Sequence, residues 1–257
     1  MSSQILKVMS YNIQVGISTR QPHHYLIHSW KHVLPHSQRL ANLDRVARLL
    51  AEFDLVGLQE VDAGSMRSNY INLAEYLAHQ AGFPYWYHQV NRNIGKIAKH
   101  SNGLLSRFQP SEIVDIPLPG LIPGRNAIMA RYGLGEESLS LFMLHLALSR
   151  RARMRQLAMI AERVNESKHV ILMGDMNCRP GSPEMKLLFS RTHLREPLEE
   201  TLTFPSWRPS HHIDHILVTP ELEVRKVQAL QHAYSDHLPI VMELGLPKSI
   251  DMTRIAA

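Results

Sequence analysis

Between Pro84 and Leu148 five strand signals follow one another, PYWYHQV, NGLLSRF, EIVDIPL, RNAIMARYG and SLSLFMLHLAL, divided only by proline, glycine or charged turns. Strands in direct succession cannot be a chain of βαβ units, so this stretch predicts antiparallel neighbours. On either side of it strand and helix signals alternate. ILKVMSYNI (5–13), DLVGLQEV (54–61), HVILMGDMN (169–177), IDHILVT (213–219), LEVRKVQAL (222–230) and HLPIVMELG (237–245) read as strands. Leu40, Leu43, Val46, Leu50 and Phe53 recur at helical steps, which predicts a helix over 39–53. A second helix fits 70–81, stopped by Gly82 with Pro84 beyond. A third fits 150–165 on the stripe Met154, Leu157, Ala158, Ala161 and Val164, and a short one follows Pro183.

These elements predict a four-layer α/β sandwich, two packed and mainly antiparallel sheets with helices on their outer faces. The 257 residues contain no repeat and no Gly/Ser linker, so a single domain over 1–257 is expected. Apolar residues form 44% of the chain and charged ones 20%, which excludes a disordered or collagenous protein. The longest apolar run, Leu139 to Leu148, is broken by Ser140 and His145 and falls short of a membrane span, so no integral membrane protein is expected. MSSQILKVMSYN lacks the pattern of a secretory leader, and a single cysteine, Cys178, suits a reducing compartment. The expectation is a cytoplasmic monomer.

Lys and Arg number 28 against 23 Asp and Glu, a net charge of +5 that favours polyanionic partners, nucleic acid among them. The 16 histidines bring zinc to mind. His23/His24 and His211/His212 are adjacent, not at zinc-finger spacing, and no cysteine pair accompanies them, so no structural zinc is expected. The segment HHYLIHSWKHV (23–33) reads as an insertion folded over the sandwich edge.

Polar side chains with catalytic potential stand at the ends of the apolar strand runs. They are Asn12, Glu60, His145, Asp175 with Asn177, and Asp236 with His237. Taken singly, Glu60 reads as a strand-end acid, His145 as a core histidine and Asp175 as a turn residue. Taken together, acids at the mouths of several buried strands call for a cation, because burying an unpartnered carboxylate is costly. A phosphoryl group repels anionic nucleophiles, and its hydrolysis needs a cation, a base and donors to the equatorial oxygens; this set supplies all three.

The motifs SYNIQ (10–14), LQEV (58–61), LHL (144–146), GDMN (174–177), IDHILV (213–218) and SDHLPI (235–240), in that order, resemble the endonuclease/exonuclease/phosphatase superfamily. That fold is shared by pancreatic deoxyribonuclease, abasic-site endonucleases, sphingomyelinases and inositol polyphosphate 5-phosphatases. The resemblance implies Glu60 as the chief metal ligand with Asn12 and Asp236 close to the ion, and the hard oxygen donors imply Mg²⁺ or Mn²⁺. It implies that Asp175 orients and deprotonates the attacking water, and that Asn177 holds that water or a phosphoryl oxygen. His145 and His237 would donate to the phosphoryl oxygens, and Asp214 would fix the tautomer of His237.

The sequence departs from the pancreatic nuclease in one respect. The first histidine has an acidic partner there, whereas the expected loop NRNIGKIAKHSN (91–102) carries no acid, leaving His145 without an assigned one. In that loop Arg92 and Lys96 are candidates for facing phosphate, and Asn102 is a candidate substrate contact. SRRARMR (149–155) adds four arginines, at least two of which are read as a solvated helix face. TFPSW (203–207) and HHIDHI (211–216) are similar to segments of small bacterial members of the superfamily. The expected substrate is a phosphodiester or nucleic acid, followed by a lipid or sugar/inositol phosphate. A catalytically inactive nucleic-acid-binding protein ranks last, because the acids and histidines are all retained.

Overall fold

The computed structural model describes residues 4–17, 38–120, 124–197 and 201–253; the segment 23–33 lies outside them. In chain order the strands and helices are β1 (Ile5–Asn12), α1 (Gln38–Leu50), β2 (Leu55–Asp62), α2 (Leu73–Ala81), β3 (Tyr85–Ile94) and β4 (Ala98–Ser106). Then come β5 (Glu112–Pro117), β6 (Asn126–Tyr132), β7 (Leu139–His145), α3 (Arg150–Val164) and β8 (His169–Asp175). The remainder is α4 (Pro183–Arg191), β9 (Asp214–Val218), β10 (Glu223–Ala229) and β11 (Ile240–Gly245).

The strands form a six-stranded sheet, β10-β11-β1-β2-β4-β3, and a five-stranded sheet, β5-β6-β7-β8-β9. Alternation along the strands sorts their side chains into three apolar layers. Leu6, Val8 and Leu55 of the first sheet meet Ile128, Leu141 and Ile171 of the second between the sheets. On the outer face of the first sheet, Met9, Val56 and Leu58 pack on Leu43, Val46 and Leu50 of α1 and Leu77 of α2. On the opposite outer face, Phe142 and Leu172 pack on Leu157 and Ile160 of α3 and Leu188 of α4. This is the four-layer sandwich expected from the sequence.

Several expectations need correction. Strands successive in the run are not neighbours throughout, since β3 and β4 join the first sheet and β5, β6 and β7 join the second. The segment 91–102 is mostly ladder and not loop, because β3 runs to Ile94 and β4 starts at Ala98, around a tight turn at Gly95. Leu40 is 39% exposed and takes no part in the buried stripe of α1. The second helix starts at Leu73 and not at 70, and on α3 Met154 and Ala158 are half-buried while Ile160 joins Leu157, Ala161 and Val164 in the core. Gly82 ends α2 in the left-handed conformation that a non-glycine residue avoids. Among the described residues, no helix is long and apolar enough to cross a membrane.

Most neighbours are antiparallel, but each sheet holds one parallel pair, β1–β2 and β7–β8. Each pair is joined by a connection containing a helix, α1 or α3, as parallel neighbours require. The carboxyl ends of the two parallel pairs carry Asn12, Glu60, His145 and Asp175. β9 runs antiparallel to β8 with Asp214 opposite Asp175, and β11 runs antiparallel to β1 with Ile240 opposite Ser10. The topology therefore delivers the starts of β9 and β11, with Asp214 and the preceding Asp236-His237, to the same rim.

Candidate active site

On the first sheet, β2 breaks register with β4 between Leu58 and Val61, and Glu60 has a φ of 54°. A bulge with a left-handed residue stores local strain of the order of 1–3 kcal/mol, and such features re-aim side chains beside functional sites. Glu60 thereby leaves the ladder and faces the rim. Burial first, and then the neighbouring Asp236 charge, raise its pKa above the ordinary glutamate value; Asn12 and His237 pull the other way. Asp236 is only 8% exposed and accepts a 3.1 Å hydrogen bond from the Ser235 hydroxyl.

On the second sheet the approach of β8 to β7 depends on Gly174. Its φ is 146°, and a Cβ there would lie 1.9 Å from the Leu144 carbonyl oxygen. Only glycine permits the contact. It brings His145 and Asp175 side by side, with His145 Nε2 3.4 Å from Asp175 Oδ2. That oxygen also accepts from Asn12 Nδ2 at 3.2 Å, a bond that joins the two sheets. Asp175 Oδ1 accepts the Asn177 amide at 3.0 Å, while Asn177 Nδ2 donates to the Leu146 carbonyl at 3.0 Å. Asn177, at φ 50°, is held between both strands.

His237 Nδ1 lies 2.9 Å from Asp214 Oδ2, and its Nε2 lies 4.0 Å from Asp175 Oδ2. The Thr203 hydroxyl donates to Asp214 Oδ2 at 2.5 Å, and the Phe204 ring packs on the His237 ring at 4.8 Å. Ser206 N–H donates to the Asp236 carbonyl at 2.7 Å. The TFPS segment is thus a clasp over SDHL, a role that the sequence reading did not assign to Thr203 or Ser206.

Electrostatics separate the two histidines. Burial, with Arg125, His237 and His100 adding to it, holds His145 well below the ordinary histidine pKa, so it is neutral. Burial also opposes charge on His237, but Asp214, with Asp175 and Asp236, overcomes it and lifts His237 to about 10. Burial and then the Asp214 charge raise Asp175 above the usual carboxylate range, with His237 opposing. Two histidines and an acid in contact thus hold unlike protonation states, the arrangement expected of acid–base machinery.

The rim opens on a cleft of about 750 Å³. Glu60 and His145 form its floor, and Arg92, Arg125, Arg151 and Arg155 line it. Arg125, at the entry to β6, was missed in the sequence, where it reads as the first residue of a strand. The Glu60 and Asp175 charges act on it directly. Its strand is fixed by Asn102, whose Nδ2 donates to the Asn126 carbonyl at 3.2 Å, while Asn126 Nδ2 donates to Asn91 Oδ1 at 3.2 Å. Asn102 is fully buried and acts behind Arg125 instead of lining the cleft. Lys96 stands exposed at the hairpin turn and is not among the lining residues, so of the two basic candidates only Arg92 reaches the cleft. No acid other than Asp175 lies within ion-pair distance of His145 among the described residues.

Two groups of side chains have ligand atoms within 4.8 Å of one another, Asp175–Asp214–His237 and Glu196–His212–His215. In the second, which the sequence reading did not find, Glu196 Oε1 lies 2.5 Å from His215 Nδ1 and 3.2 Å from His212 Nε2. The Thr201 amide donates to His212 Nδ1 at 3.2 Å, and His215 Nε2 faces the Cys178 carbonyl at 2.8 Å. His212 Nδ1 is an acceptor, so its Nε2 carries the hydrogen and has no lone pair for a metal. His215 faces acceptors at both nitrogens and is an imidazolium, in line with its raised pKa. The cluster is a buried ion pair that ties β9 to the residue after GDMN.

Carboxylate, amide and imidazole groups converging on a guanidinium-lined cleft, on this four-layer scaffold, define the class as phosphoesterases. The chain belongs to the endonuclease/exonuclease/phosphatase family, whose sequence model matches residues 9–237. No curated protein sequence matches the chain. An endonuclease/exonuclease/phosphatase family protein from Bacteroides thetaiotaomicron superposes with a TM-score of 0.71 at 17% identity, covering 95% of this chain and 98% of that one. A mannosyl-6-phosphatase from the same organism gives 0.70 at 17% identity, covering 93% and 99%. The human Nocturnin catalytic domain with a bound sulfate anion gives 0.71 at 19% identity, covering 95% and 94%. At these identities the likeness shows the shared fold.

Proposed function

We propose that this protein is a Mg²⁺- or Mn²⁺-dependent phosphodiesterase that hydrolyses its substrate by in-line attack of water. The observation that carries the reading is the meeting of oxygen donors from one sheet, Asn12, Glu60 and Asp236, with the acid–base group His145, Asp175 and Asp214 of the other. Glu60 and Asp236 repel each other at a buried strand mouth, where Arg125 and His237 supply the neighbouring positive charge. Two acids and an amide, with no thiolate among them, fit a hard dication. Bound there, the ion supplies charge neutralisation at the phosphoryl oxygens.

The chain's own residues supply the rest. Asp175 accepts the proton of the attacking water, and Asn177, locked between Asp175 and the Leu146 carbonyl, limits where that water sits. Neutral His145 donates a hydrogen bond to a phosphoryl oxygen without repelling the Arg125 guanidinium. His237, held protonated by Asp214, donates to the charge that builds in the transition state. Asp175, Asp214 and His237 could also be read as metal ligands. His237 Nδ1 is already committed to Asp214, and Asp214 to Thr203, which favours proton handling.

A sugar-phosphate phosphatase is the second reading, favoured by the walled cleft, whose volume suits a small molecule better than a duplex. The test is a substrate panel of bis(p-nitrophenyl) phosphate, p-nitrophenyl phosphate, plasmid DNA and sphingomyelin, each with Mg²⁺, Mn²⁺ or chelator. Diester cleavage should lead, should need the metal, and should fall in Glu60→Gln together with calorimetric Mn²⁺ binding. Full activity in excess chelator overturns the proposal, and turnover of the monoester alone replaces it with the second reading.

A further inference from the structure

The four arginines of SRRARMR divide into two pairs. Arg150 and Arg153 turn to Glu184 on α4, at 4.0 and 2.7 Å, and Arg153 also donates to the Leu148 carbonyl. They pin α3 to α4. Arg151 and Arg155 point into the cleft, four residues and one turn apart on the same helix face. Neither has a carboxylate partner among the described residues, and nor does Arg92 across the cleft. Exposed arginines commonly find an acid in a chain that carries 23 of them, yet among the described residues lining this cleft Glu60 is the only acid.

The cations fall into two zones. Arg125 feels Glu60 and Asp175, and His145 feels Arg125, His237 and His100, so these groups surround the reacting phosphoryl position. Arg92, on the β3 wall, borders that circle through His100, while Arg151 and Arg155 line the cleft from the start of α3. Ser149, the N-cap of α3, lines the same wall, so the positive end of a 15-residue helix adds to the guanidinium charge. Guanidinium forks match phosphate oxygens, and three of them with a helix end are more than a single scissile phosphate, already served by Arg125, requires.

We infer that Arg92, Arg151 and Arg155 form a second anion subsite, and that the natural substrate is a small phosphodiester bearing a further phosphate, for which bisphosphates serve as binding probes. The inference rests on the phosphoesterase reading of the site, and it adds the substrate class. It commits to a small molecule because the cleft, at about 750 Å³, has the size of a metabolite pocket.

Binding is tested without turnover. Calorimetry in chelator compares adenosine 3′,5′-bisphosphate with adenosine 5′-monophosphate, and fructose 1,6-bisphosphate with fructose 6-phosphate. The wild type should bind each bisphosphate at least tenfold more tightly than its partner. The double variant Arg151→Glu/Arg155→Glu should bring both ratios close to one. Arg48→Glu/Lys226→Glu, which makes the same change in net charge on exposed positions away from the cleft, should leave them intact. Ratios near one in the wild type overturn the inference. So does an equal loss in both double variants, which would report the general field. Each of those failures leaves metal-dependent hydrolysis standing, and an absence of hydrolysis leaves the binding ratios readable.

Discussion

Replacing Glu196 by Gln should uncouple the catalytic loop from the sheet behind it without touching a residue in the cleft. Burial opposes the Glu196 carboxylate, but hydrogen bonds from His212 and His215 and the His215 charge outweigh it and carry its pKa from 4.5 to about 2. At about 1.4 kcal/mol per pH unit, that displacement corresponds to roughly 3 kcal/mol of stability at neutral pH. The side chain of Glu196 is 10% exposed, so solvent screening removes little of it. Gln keeps the shape and one acceptor but leaves the His215 imidazolium without its counter-charge, so urea midpoints at pH 5.5 should report a loss of about 3 kcal/mol.

The pH dependence has a definite sign. A depressed carboxylate contributes stability that is present above pH 4.5 and is lost as pH falls through about 2. A raised histidine contributes stability that is present below pH 6.5 and is lost as pH climbs through its higher folded value. The gap between wild type and Glu196→Gln should therefore be widest between pH 4.5 and 6.5 and narrow on both sides. Turnover should fall several-fold, because His215 holds the Cys178 carbonyl next to Asn177. Equal midpoints at pH 5.5, or a gap that does not vary with pH, would refute the ion-pair account. Unchanged kcat would refute the coupling to the loop.

Three further outcomes follow from the site. Asp214→Asn cannot hold His237 protonated and Asp175→Asn cannot accept a proton, so each should lower kcat by a factor on the order of 10² to 10⁴ with circular dichroism unchanged. Wild-type rates in both variants would show that these residues are not the machinery. Gly174→Ala should cost at least the roughly 3 kcal/mol that marks severe overpacking, since the obstacle is the Leu144 backbone and not a movable side chain; a thermal melt at the wild-type temperature would contradict this. Added salt should weaken the bisphosphate preference measured in the cleft, because exposed arginines are screened, and calorimetry at 50 and 500 mM NaCl, conditions chosen for roughly a threefold span in Debye length, checks it.

Legibility in the sequence followed locality. Strand runs such as HVILMGD and helix stripes such as Leu43, Val46 and Leu50 are repeats within one element, so periodicity exposes them. Asp175, Asp236 and His237 sit in short motifs at strand ends and were readable for the same reason. Arg125 and Glu196 were not, because each gains meaning only from partners distant in the chain: Arg125 from Glu60 and Asp175, Glu196 from His212 and His215. The division of the strand run between two sheets was equally hidden, since β4 pairs with β2 across separations from 38 (Asp62 to His100) to 51 (Leu55 to Ser106) and nothing in NGLLSRF names it. Asn102 shows the middle case. Its position beside the site was legible, but its burial and its bond to the Asn126 carbonyl were not.

The order in which the strands enter the two sheets governs when the chain becomes chemically competent during synthesis. β5 to β9 are contiguous, from Glu112 to Val218, and complete the second sheet on their own, whereas the first sheet waits for β10 and β11. Until β11 pairs, β1 is an open edge with an apolar face, a template for unwanted strand pairing. The segment that closes this edge also delivers Asp236 to the neighbourhood of Glu60 and His237 to Asp214. A nascent chain therefore cannot assemble the proposed site before its fold is sealed, and the pairing that removes its aggregation hazard is the pairing that completes that site.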